Sequence, residues 1–241
     1  MPVVIYTENL PPYNYPDKTG KVVGVSTRQV RMIMEKAGLS YVIKVQPWAR
    51  AQRNAETEPN TLLYSMVKSD ARTPLFDWIV PLVAEPSYLF GRSDDPRVVN
   101  AETIRAGKFT AVCAADGRTC SFLTNIGFPE GSLLKITSTG QTLETFKLMM
   151  SGRADFAAYT FAAVKSAPFG TSGFEARYQL PTLTTLYLTA GLHVDLGLRD
   201  KIRQAYQDLQ KEGFLLHPFT PTAPPTLKSP PENPAPLAAP N

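Results

Sequence analysis

The sequence predicts an α/β fold organised as two lobes. At 241 residues with 43% apolar content, the chain is long enough to bury one large core or two smaller ones. Strand-like apolar runs alternate with amphipathic helical patterns, which is typical of mostly parallel sheets. The alternation runs through two similar cycles, which begin near Val3 and near Lys108. We expect each cycle to form one lobe.

The first cycle is expected to contain three strands and two helices. Gly38 stands where a helix C-terminus favours glycine. Pro47 suits the first turn of a helix, because its missing N–H has no partner to lose there. The predicted elements are a strand at Val3–Thr7, a helix at Thr27–Ala37, a strand at Tyr41–Val45, a helix at Trp48–Thr57 and a strand at Thr61–Tyr64.

The second cycle repeats the alternation, and the chain then returns to the first lobe. Its predicted elements are a strand at Phe109–Ala114, a helix at Thr119–Ile126, a strand at Leu133–Thr137, a helix at Gln141–Ser151 and a strand at Ala154–Tyr159. The apolar run Leu183–Leu192 is predicted to be the returning strand. A final helix at Leu198–Lys211 ends before Gly213, which is its stop signal.

In this arrangement the chain crosses between the lobes twice, near Leu89–Arg92 and near Leu186–Leu188. Two crossing strands predict a hinge about which the lobes close on a ligand. Lobe one is assigned residues 1–90 and 187–220, and lobe two is assigned residues 91–186. Residues 221–241 are rich in proline and are expected to be a disordered tail, which is either a spacer, an anchor for a partner or dispensable.

Charge and hydropathy exclude several kinds of partner. The chain has 25 basic and 21 acidic residues, and because the basic residues are scattered we expect no nucleic-acid interface. No run reaches the roughly 18 consecutive apolar residues of a membrane span. The N-terminus enters the strand-like Pro2–Tyr6 directly, so an exported form is expected to have lost a signal peptide ahead of Met1.

The chain has two cysteines, Cys113 and Cys120. An even pair at this spacing is compatible with a disulfide formed in an oxidising compartment. Two free buried thiols fit the sequence equally well. Since no metal-ligand spacing and no phosphate-binding glycine loop recurs, we expect no metal and no cofactor.

Several short motifs occur in a fixed order along the chain. They are Thr7–Tyr15 (TENLPPYNY), Gly24 before the first helix, Pro47–Ala51 (PWARA), Ser65–Arg72 (SMVKSDAR), Phe76–Trp78 with Pro81, and Ser151–Asp155 (SGRAD). This series resembles the family 3 extracellular solute-binding proteins, the periplasmic amino-acid-type receptors of ABC transporters. The resemblance spans roughly residues 3–219.

The resemblance implies the type 2 periplasmic-binding-protein fold, in which two lobes with mixed, mostly parallel sheets are joined by a two-strand hinge. It implies a monomeric periplasmic receptor for amino acid transport that captures a small ligand by hinge closure. The closed form is then expected to deliver its ligand to the permease of an ABC transporter.

In that family an arginine a few residues after a serine or threonine binds the ligand carboxylate, and the matching residues here are Ser69 and Arg72. The chemistry agrees, because guanidinium presents a rigid fork for two contacts with a carboxylate. The serine hydroxyl and the free amides of a short helical turn add donors. The alternative is that Arg72 is a surface charge near Asp70 and Asp77.

Aromatic side chains near the ligand are a second feature that the resemblance implies. Tyr13 and Tyr15, in the loop after the first strand, are expected to cover the ligand or else to pack their own turn. Trp48 is expected either to stack on the ligand or to pack in the core of lobe one. Ser65 and Tyr88 are further candidates, at strand ends that face the predicted cleft.

Lobe two is expected to contribute the loop that precedes the predicted helix at Thr119. Gly117 would allow close approach of a ligand, and Arg118 and Thr119 would donate to an anion at a helix N-terminus. The alternative is a tight turn with no ligand. A bond between Cys113 and Cys120 would clamp this loop.

At Tyr159 and Thr160 the chain departs from many amino-acid receptors, which carry there an acidic residue that pairs with the α-amino group of the ligand. An unpaired buried ammonium is costly, so an ordinary α-amino acid is not the expected ligand. Tyr159 and Thr160 are expected to contact the far end of a small, polar, acid-bearing ligand. Asp155 is expected to support its strand end.

The same fold also hosts a few enzymes, including dehydratases of cyclic dienyl acids, and the sensing domains of membrane signalling proteins. Glu8 is the one carboxylate expected in the cleft, where it either contacts ligand, acts as a general base or is a solvated loop residue. His193 and His217 are expected to be structural. We therefore assign no catalytic residue and expect a binding protein, with an enzyme or a sensor as the alternatives.

Overall fold

The structure of the protein is a computed structural model that describes residues 2–115, 118–136, 142–166 and 172–214. Gly117, His217 and the predicted tail at residues 221–241 lie outside the described residues, and only the backbone of Arg118 is described. The chain forms two compact units. Unit one runs from the N-terminus to Glu85 and resumes at Leu183, and unit two is formed by Pro86–Thr182.

The first half of the chain follows the predicted order of elements closely. The elements are β1 (Val3–Thr7), β2 (Tyr15–Pro16), β3 (Val22–Val23), α1 (Val25–Lys36), β4 (Tyr41–Val45), α2 (Trp48–Thr57), β5 (Thr61–Met66) and β6 (Phe76–Arg92). The buried face of α1 includes Val30, Ile33 and Met34. The length of β6 was not predicted.

The second half alternates in the same way. The elements are α3 (Ala101–Arg105), β7 (Ala111–Ala114), α4 (Arg118–Asn125), β8 (Leu133–Ile136), α5 (Thr142–Met150), β9 (Phe156–Thr160), α6 (Phe161–Ser166), β10 (Phe174–Gly191) and α7 (Leu196–Lys211). The short helices α3 and α6 were not predicted. Each has a local cap that explains its start: Asn100 and Thr103 form a capping box at α3, and the Thr160 hydroxyl accepts from the Ala163 amide at α6.

Both units contain a mixed sheet, so the predicted α/β fold class is confirmed. In unit one the strand order is β4-β1-β5-β10, with β1 parallel to β4 and β5, and with β10 antiparallel to β5. In unit two the order is β6-β9-β7-β8, with β7 parallel to β8 and β9, and with β6 antiparallel to β9. The long strands β6 and β10 carry the chain from one unit to the other, at Glu85–Pro86 and at Thr182–Leu183.

The two cysteines form a disulfide, which decides between the two alternatives left open by the sequence. Cys113 lies on β7 and Cys120 lies on α4, and both are buried in the core of unit two. The disulfide therefore fastens the first turn of α4 to the sheet.

Replacing both cysteines with serine is expected to lower the free energy of unfolding by about 2–3 kcal/mol, because the disulfide closes a short loop in the unfolded chain. Urea unfolding of the double variant, and of the wild type with and without reductant, measures this loss. The double variant should be insensitive to reductant. Equal unfolding midpoints for oxidised and reduced wild type would contradict the prediction.

Candidate functional site

Three neighbouring parallel strands of unit one end at the same edge of the sheet. Glu8 follows β1, Ser65 lies near the end of β5, and Trp48 begins the helix that follows β4. Ligands of open α/β sheets bind outside the carboxyl ends of the strands. These three sequence-predicted candidates are therefore placed where a ligand of this fold class is expected.

Arg72 joins this edge from the turn after β5. The carbonyl oxygen of Ser69 accepts from the amides of Arg72 (3.1 Å) and Thr73 (2.8 Å), so Ser69 shapes the turn. The Arg72 guanidinium lies over the ring of Trp48, with its carbon 5.0 Å from the ring centroid. Trp48 also packs at the border of the core cluster formed by α2 and the sheet, which agrees with the packing alternative, and stacking on a ligand stays a prediction.

The Arg72 side chain is half-buried, and burial lowers its pKa while the charge of Glu8 opposes this effect. Within the described part of the chain its guanidinium forms no hydrogen bond and no ion pair. Asp77, the partner considered in the alternative, is instead paired with Arg199 and Arg203. The N–H donors of Arg72 are thus available to a ligand.

Ser65 has a strained backbone and an unused hydroxyl. Its φ is 61°, in the left-handed region that a non-glycine residue adopts at a cost of about 1–3 kcal/mol. The register between β5 and β10 shifts here, since Leu188 faces Tyr64 and Tyr187 faces Met66, which leaves Ser65 as a bulge residue. Ser65 is only 4% exposed, and among the described residues its Oγ has no hydrogen-bond partner. Buried polar groups are usually hydrogen-bonded, so this unused hydroxyl at the strand end requires an explanation.

Glu8 is half-buried at the end of β1. Burial raises the pKa of its carboxyl to about 7, and the positive charge of Arg72 acts in the opposite direction. The backbone carbonyl of Glu8 accepts from the Asn14 side-chain amide at 2.7 Å, which fixes the start of the following loop. Its carboxylate accepts no hydrogen bond from the described residues. Glu8 is therefore not the fully solvated loop residue that the sequence left open.

The two tyrosines of that loop are placed differently. The Tyr13 side chain is buried and 5% exposed, and its carbonyl accepts from the amides of Ser26 (3.0 Å) and Thr27 (3.2 Å) at the start of α1. This placement favours the alternative in which Tyr13 packs its own loop. Tyr15 is half-buried on β2, opposite Val23 on β3.

Unit two contains a small pocket of about 90 Å³ with hydroxyl groups on its wall. Thr119 stands in the first turn of α4, and the hydroxyls of Thr145 and Tyr159 form a hydrogen bond. Burial raises the pKa of Tyr159, so this phenol is a neutral donor at physiological pH. The lining residues are Val112, Cys113, Ala114, Thr119, Thr145, Ala157, Ala158 and Tyr159.

Two predicted site residues of unit two do not line this pocket. Thr160 is buried, and its hydroxyl caps α6. Tyr88 is buried inside β6, which continues to Arg92, so it does not stand at a strand end as expected. Its ring packs against Phe161 with a centroid distance of 4.7 Å. Both side chains have structural contacts that account for their positions.

One cluster next to the Ser69 turn was missed by sequence reasoning. The Lys68 ammonium lies 5.5 Å from the ring centroid of Trp78 and 4.9 Å from that of Tyr187, and the two rings meet edge to face at 5.4 Å. The sequence signals only the aromatic run at Trp78, because Tyr187 comes from the distant strand β10. The cluster stabilises the segment that leads into the turn.

Other polar candidates have structural roles. Asp155 accepts from the Thr110 amide at 2.7 Å and pairs with Arg97, so it supports its strand end. The His193 ring is hydrogen-bonded to the Glu58 carbonyl at 2.7 Å.

Across the described ranges, no three His, Cys, Asp or Glu residues are grouped as metal ligands. No described helix is long and apolar enough to cross a membrane.

The bacterial extracellular solute-binding proteins, family 3, share a sequence pattern that matches residues 3–217 of this chain. The chain therefore belongs to this family, and the resemblance seen in the sequence is confirmed. The family defines the protein as one that binds a solute. A comparison with curated protein sequences gave no match.

Solved structures share the fold at low sequence identity. The probable amino-acid ABC transporter extracellular-binding protein ytmK of Bacillus subtilis is 17% identical, with a TM-score of 0.72 over 89% of this chain and 94% of that chain. The arginine-, lysine-, histidine-binding protein ArtJ of Geobacillus stearothermophilus is 16% identical, with a TM-score of 0.70 over 88% and 91%. A histidine kinase sensor domain with similarity to periplasmic binding proteins is 18% identical, with a TM-score of 0.73 over 88% and 91%.

Proposed function

We propose that the protein is a periplasmic solute-binding protein that captures a small acid-bearing ligand and delivers it to the permease of an ABC transporter. The observation that supports the acid-bearing ligand is the Arg72 side chain. It is half-buried, it rests on Trp48, and its N–H donors have no partner among the described residues. Desolvated donors of this kind are costly unless an acceptor arrives, and a carboxylate matches the guanidinium fork in shape and charge.

The surroundings of Arg72 fit the same ligand. The aromatic face of Trp48 holds the guanidinium in place by cation–π attraction and so lowers the entropy lost on binding. Ser65, at the end of the neighbouring strand, offers a buried hydroxyl without a partner in the described chain. An arriving carboxylate would thus meet several donors at the edge where this fold class binds ligands.

Hinge closure and binding without turnover are parts of the proposal. The crossings on β6 and β10 are the two places where the chain could bend. Glu8 is the group whose charge acts on Arg72 in the described part of the chain, and it is the residue to test for catalysis. Recovery of unchanged ligand after prolonged incubation would support binding, whereas turnover that is lost in Glu8→Gln would contradict this part of the proposal.

Ligand sensing is the second candidate function. The likeness to a histidine kinase sensor domain, at a TM-score of 0.73, favours it as the alternative. The two functions differ in the partner of the ligand-bound protein. Ligand-dependent transport by vesicles that contain a permease would support delivery, and its absence together with ligand-dependent kinase control would support sensing.

The acid-binding role of Arg72 predicts a large loss of affinity in Arg72→Ala. We expect ligand binding to weaken by about 2–4 kcal/mol, which corresponds to roughly 30-fold to 1,000-fold in Kd, because a desolvated carboxylate would lose its charged partner. A thermal-shift screen of amino acids, small organic acids and amines would identify a binder. The fluorescence of Trp48 would then report its Kd in a Trp78→Phe background, since the chain has two tryptophans.

Arg50→Ala is the matched control for this experiment. Arg50 is an exposed arginine on α2 in the same unit, so its removal changes the net charge equally without touching the proposed site. Its variant should bind like wild type. A loss below about tenfold in Arg72→Ala, or an equal loss in both variants, would contradict the role given to Arg72.

A further inference from the structure

Glu8 and Arg72 form an opposite-charge pair at one edge of the sheet in unit one. β1 lies between β4 and β5 and is parallel to both, so Glu8, which follows β1, lies at the same sheet edge as Trp48, the ring on which Arg72 rests. Both side chains are half-buried, and the charge of each acts on the other. In the described part of the chain, Arg72 is the charged group that acts on Glu8.

The pair is held through space rather than by a direct bond. Neither a hydrogen bond nor an ion pair within 4.0 Å joins the two side chains. Ionised Glu8 therefore offsets part of the Arg72 charge without occupying the guanidinium donors. Such a carboxylate can be replaced by one that binds the donors directly, because direct charge-assisted hydrogen bonds are stronger.

A ligand carboxylate on Arg72 would be the second anion beside one cation. Two carboxylates that share a half-buried site cannot both stay ionised without a large cost, and the one with fewer hydrogen-bond donors takes the proton. The ligand would receive the guanidinium donors. Glu8 accepts no hydrogen bond from the described residues, so Glu8 is the group that would become protonated.

We propose that Glu8 is the resident counter-ion of Arg72 and that an acid-bearing ligand replaces it, so that capture takes up one proton at Glu8. The exchange is balanced: ionised Glu8, a proton from solvent and the ionised ligand give neutral Glu8 and a carboxylate bound to Arg72. The net charge of the site stays the same before and after binding. This inference rests on the proposed function, because it assumes that Arg72 binds the acid of the ligand.

The environment of Glu8 brings this exchange into the physiological pH range. Burial holds the pKa of Glu8 at about 7 in the ligand-free protein. Replacement of the Arg72 charge by a neutral Arg72–ligand pair would raise the pKa further, because the opposing charge of Arg72 would be lost to the ligand. Binding therefore takes up a proton above pH 7, and affinity is expected to rise as the pH falls towards 7.

Acetate is the probe for the test, since it carries a carboxylate and no cationic group. Its Kd is measured by Trp48 fluorescence in the Trp78→Phe background between pH 6 and pH 9 at constant ionic strength. Uptake of one proton predicts that Kd rises by up to about tenfold per pH unit above pH 7 and is nearly constant below it. Glu8→Gln should remove the pH dependence and bind acetate more tightly than its parent at high pH.

Glu56→Gln is the matched control, because Glu56 is an exposed glutamate on α2 in the same unit. This variant should keep the pH profile of its parent. A flat profile in the parent, weaker acetate binding in Glu8→Gln, or no acetate binding at any pH would overturn the proposal. If Arg72→Ala binds acetate as well as its parent, the proposed function fails. If Arg72→Ala loses binding while the parent profile is flat, only the role of Glu8 fails.

Discussion

Asp77→Ala is expected to lower the free energy of unfolding by about 3–5 kcal/mol, because it leaves a buried arginine without its counter-charge. The Asp77 carboxylate on β6 accepts from Arg199 at 2.9 Å and from Arg203 at 2.5 Å. The Arg199 side chain is only 9% exposed, and its other bond is a long one of 3.4 Å to the Leu192 carbonyl. These pairs fasten α7 to β6, so their loss should weaken the whole of unit one.

Asp200→Ala separates this effect from a general loss of surface charge. Asp200 pairs with the same Arg203 at 2.9 Å, but its side chain is 71% exposed. Exposed pairs contribute about 0–1 kcal/mol, so this control should unfold close to wild type. Urea unfolding followed by circular dichroism measures both variants. Similar free energies of unfolding for the two variants would contradict the importance of the buried pair.

A double variant tests the mechanism of the loss. Replacing Arg199 by methionine together with Asp77→Ala removes the buried charge as well as its partner. Apolar replacement of a complete buried pair is often close to neutral. The double variant should therefore regain part of the stability that Asp77→Ala loses. If it is less stable than the single variant, the cost arises from packing and not from the unpaired charge.

Elements with strong local signals were predicted accurately from the sequence. β4 (Tyr41–Val45) and α2 (Trp48–Thr57) have the predicted bounds. The β-branched and aromatic residues of β4 and Pro47 at the start of α2 are signals carried by the local sequence alone. The family resemblance likewise rested on short local motifs and is confirmed.

Features that depend on distant contacts were not predictable from the sequence. β6 contains Pro81 and Pro86, which argue locally against a long strand. Arg199 stands on the buried stripe of α7 with Ile202, Ala205 and Leu209, but its counter-charge Asp77 comes from the distant strand β6. Sequence reasoning found Glu8 and Arg72 separately, but their mutual charge interaction depends on the adjacency of β1 and β5.

The strain at Ser65 shows a second limit of sequence reasoning. Serine has no preference for a φ of 61°, and nothing nearby in sequence indicates it. The conformation arises where β5 meets the bulged register of β10, a strand more than one hundred residues away. Sequence reasoning selected Ser65 by its place at a strand end but gave no reason for its unused hydroxyl.

Gly24→Ala is expected to lower the free energy of unfolding by about 3–5 kcal/mol, because the backbone at this position admits only glycine. Gly24 has φ 118° and ψ 171° just before α1. A Cβ there would lie 2.3 Å from the carbonyl oxygen of Tyr13 and 2.7 Å from that of Pro12. These carbonyls accept from the first amides of α1, so they cannot move away without breaking the hydrogen bonds that start the helix.

Gly20→Ala is the control that separates backbone conformation from close contact. Gly20 also has a positive φ, of 84°, but a Cβ there would meet nothing within 4 Å. Its variant should lose only about 1–2 kcal/mol, the cost of a left-handed conformation in a residue with a side chain. Urea unfolding of both variants gives the comparison. Equal stabilities would show that the loop can shift away from α1 and that the contact with Tyr13 does not fix it.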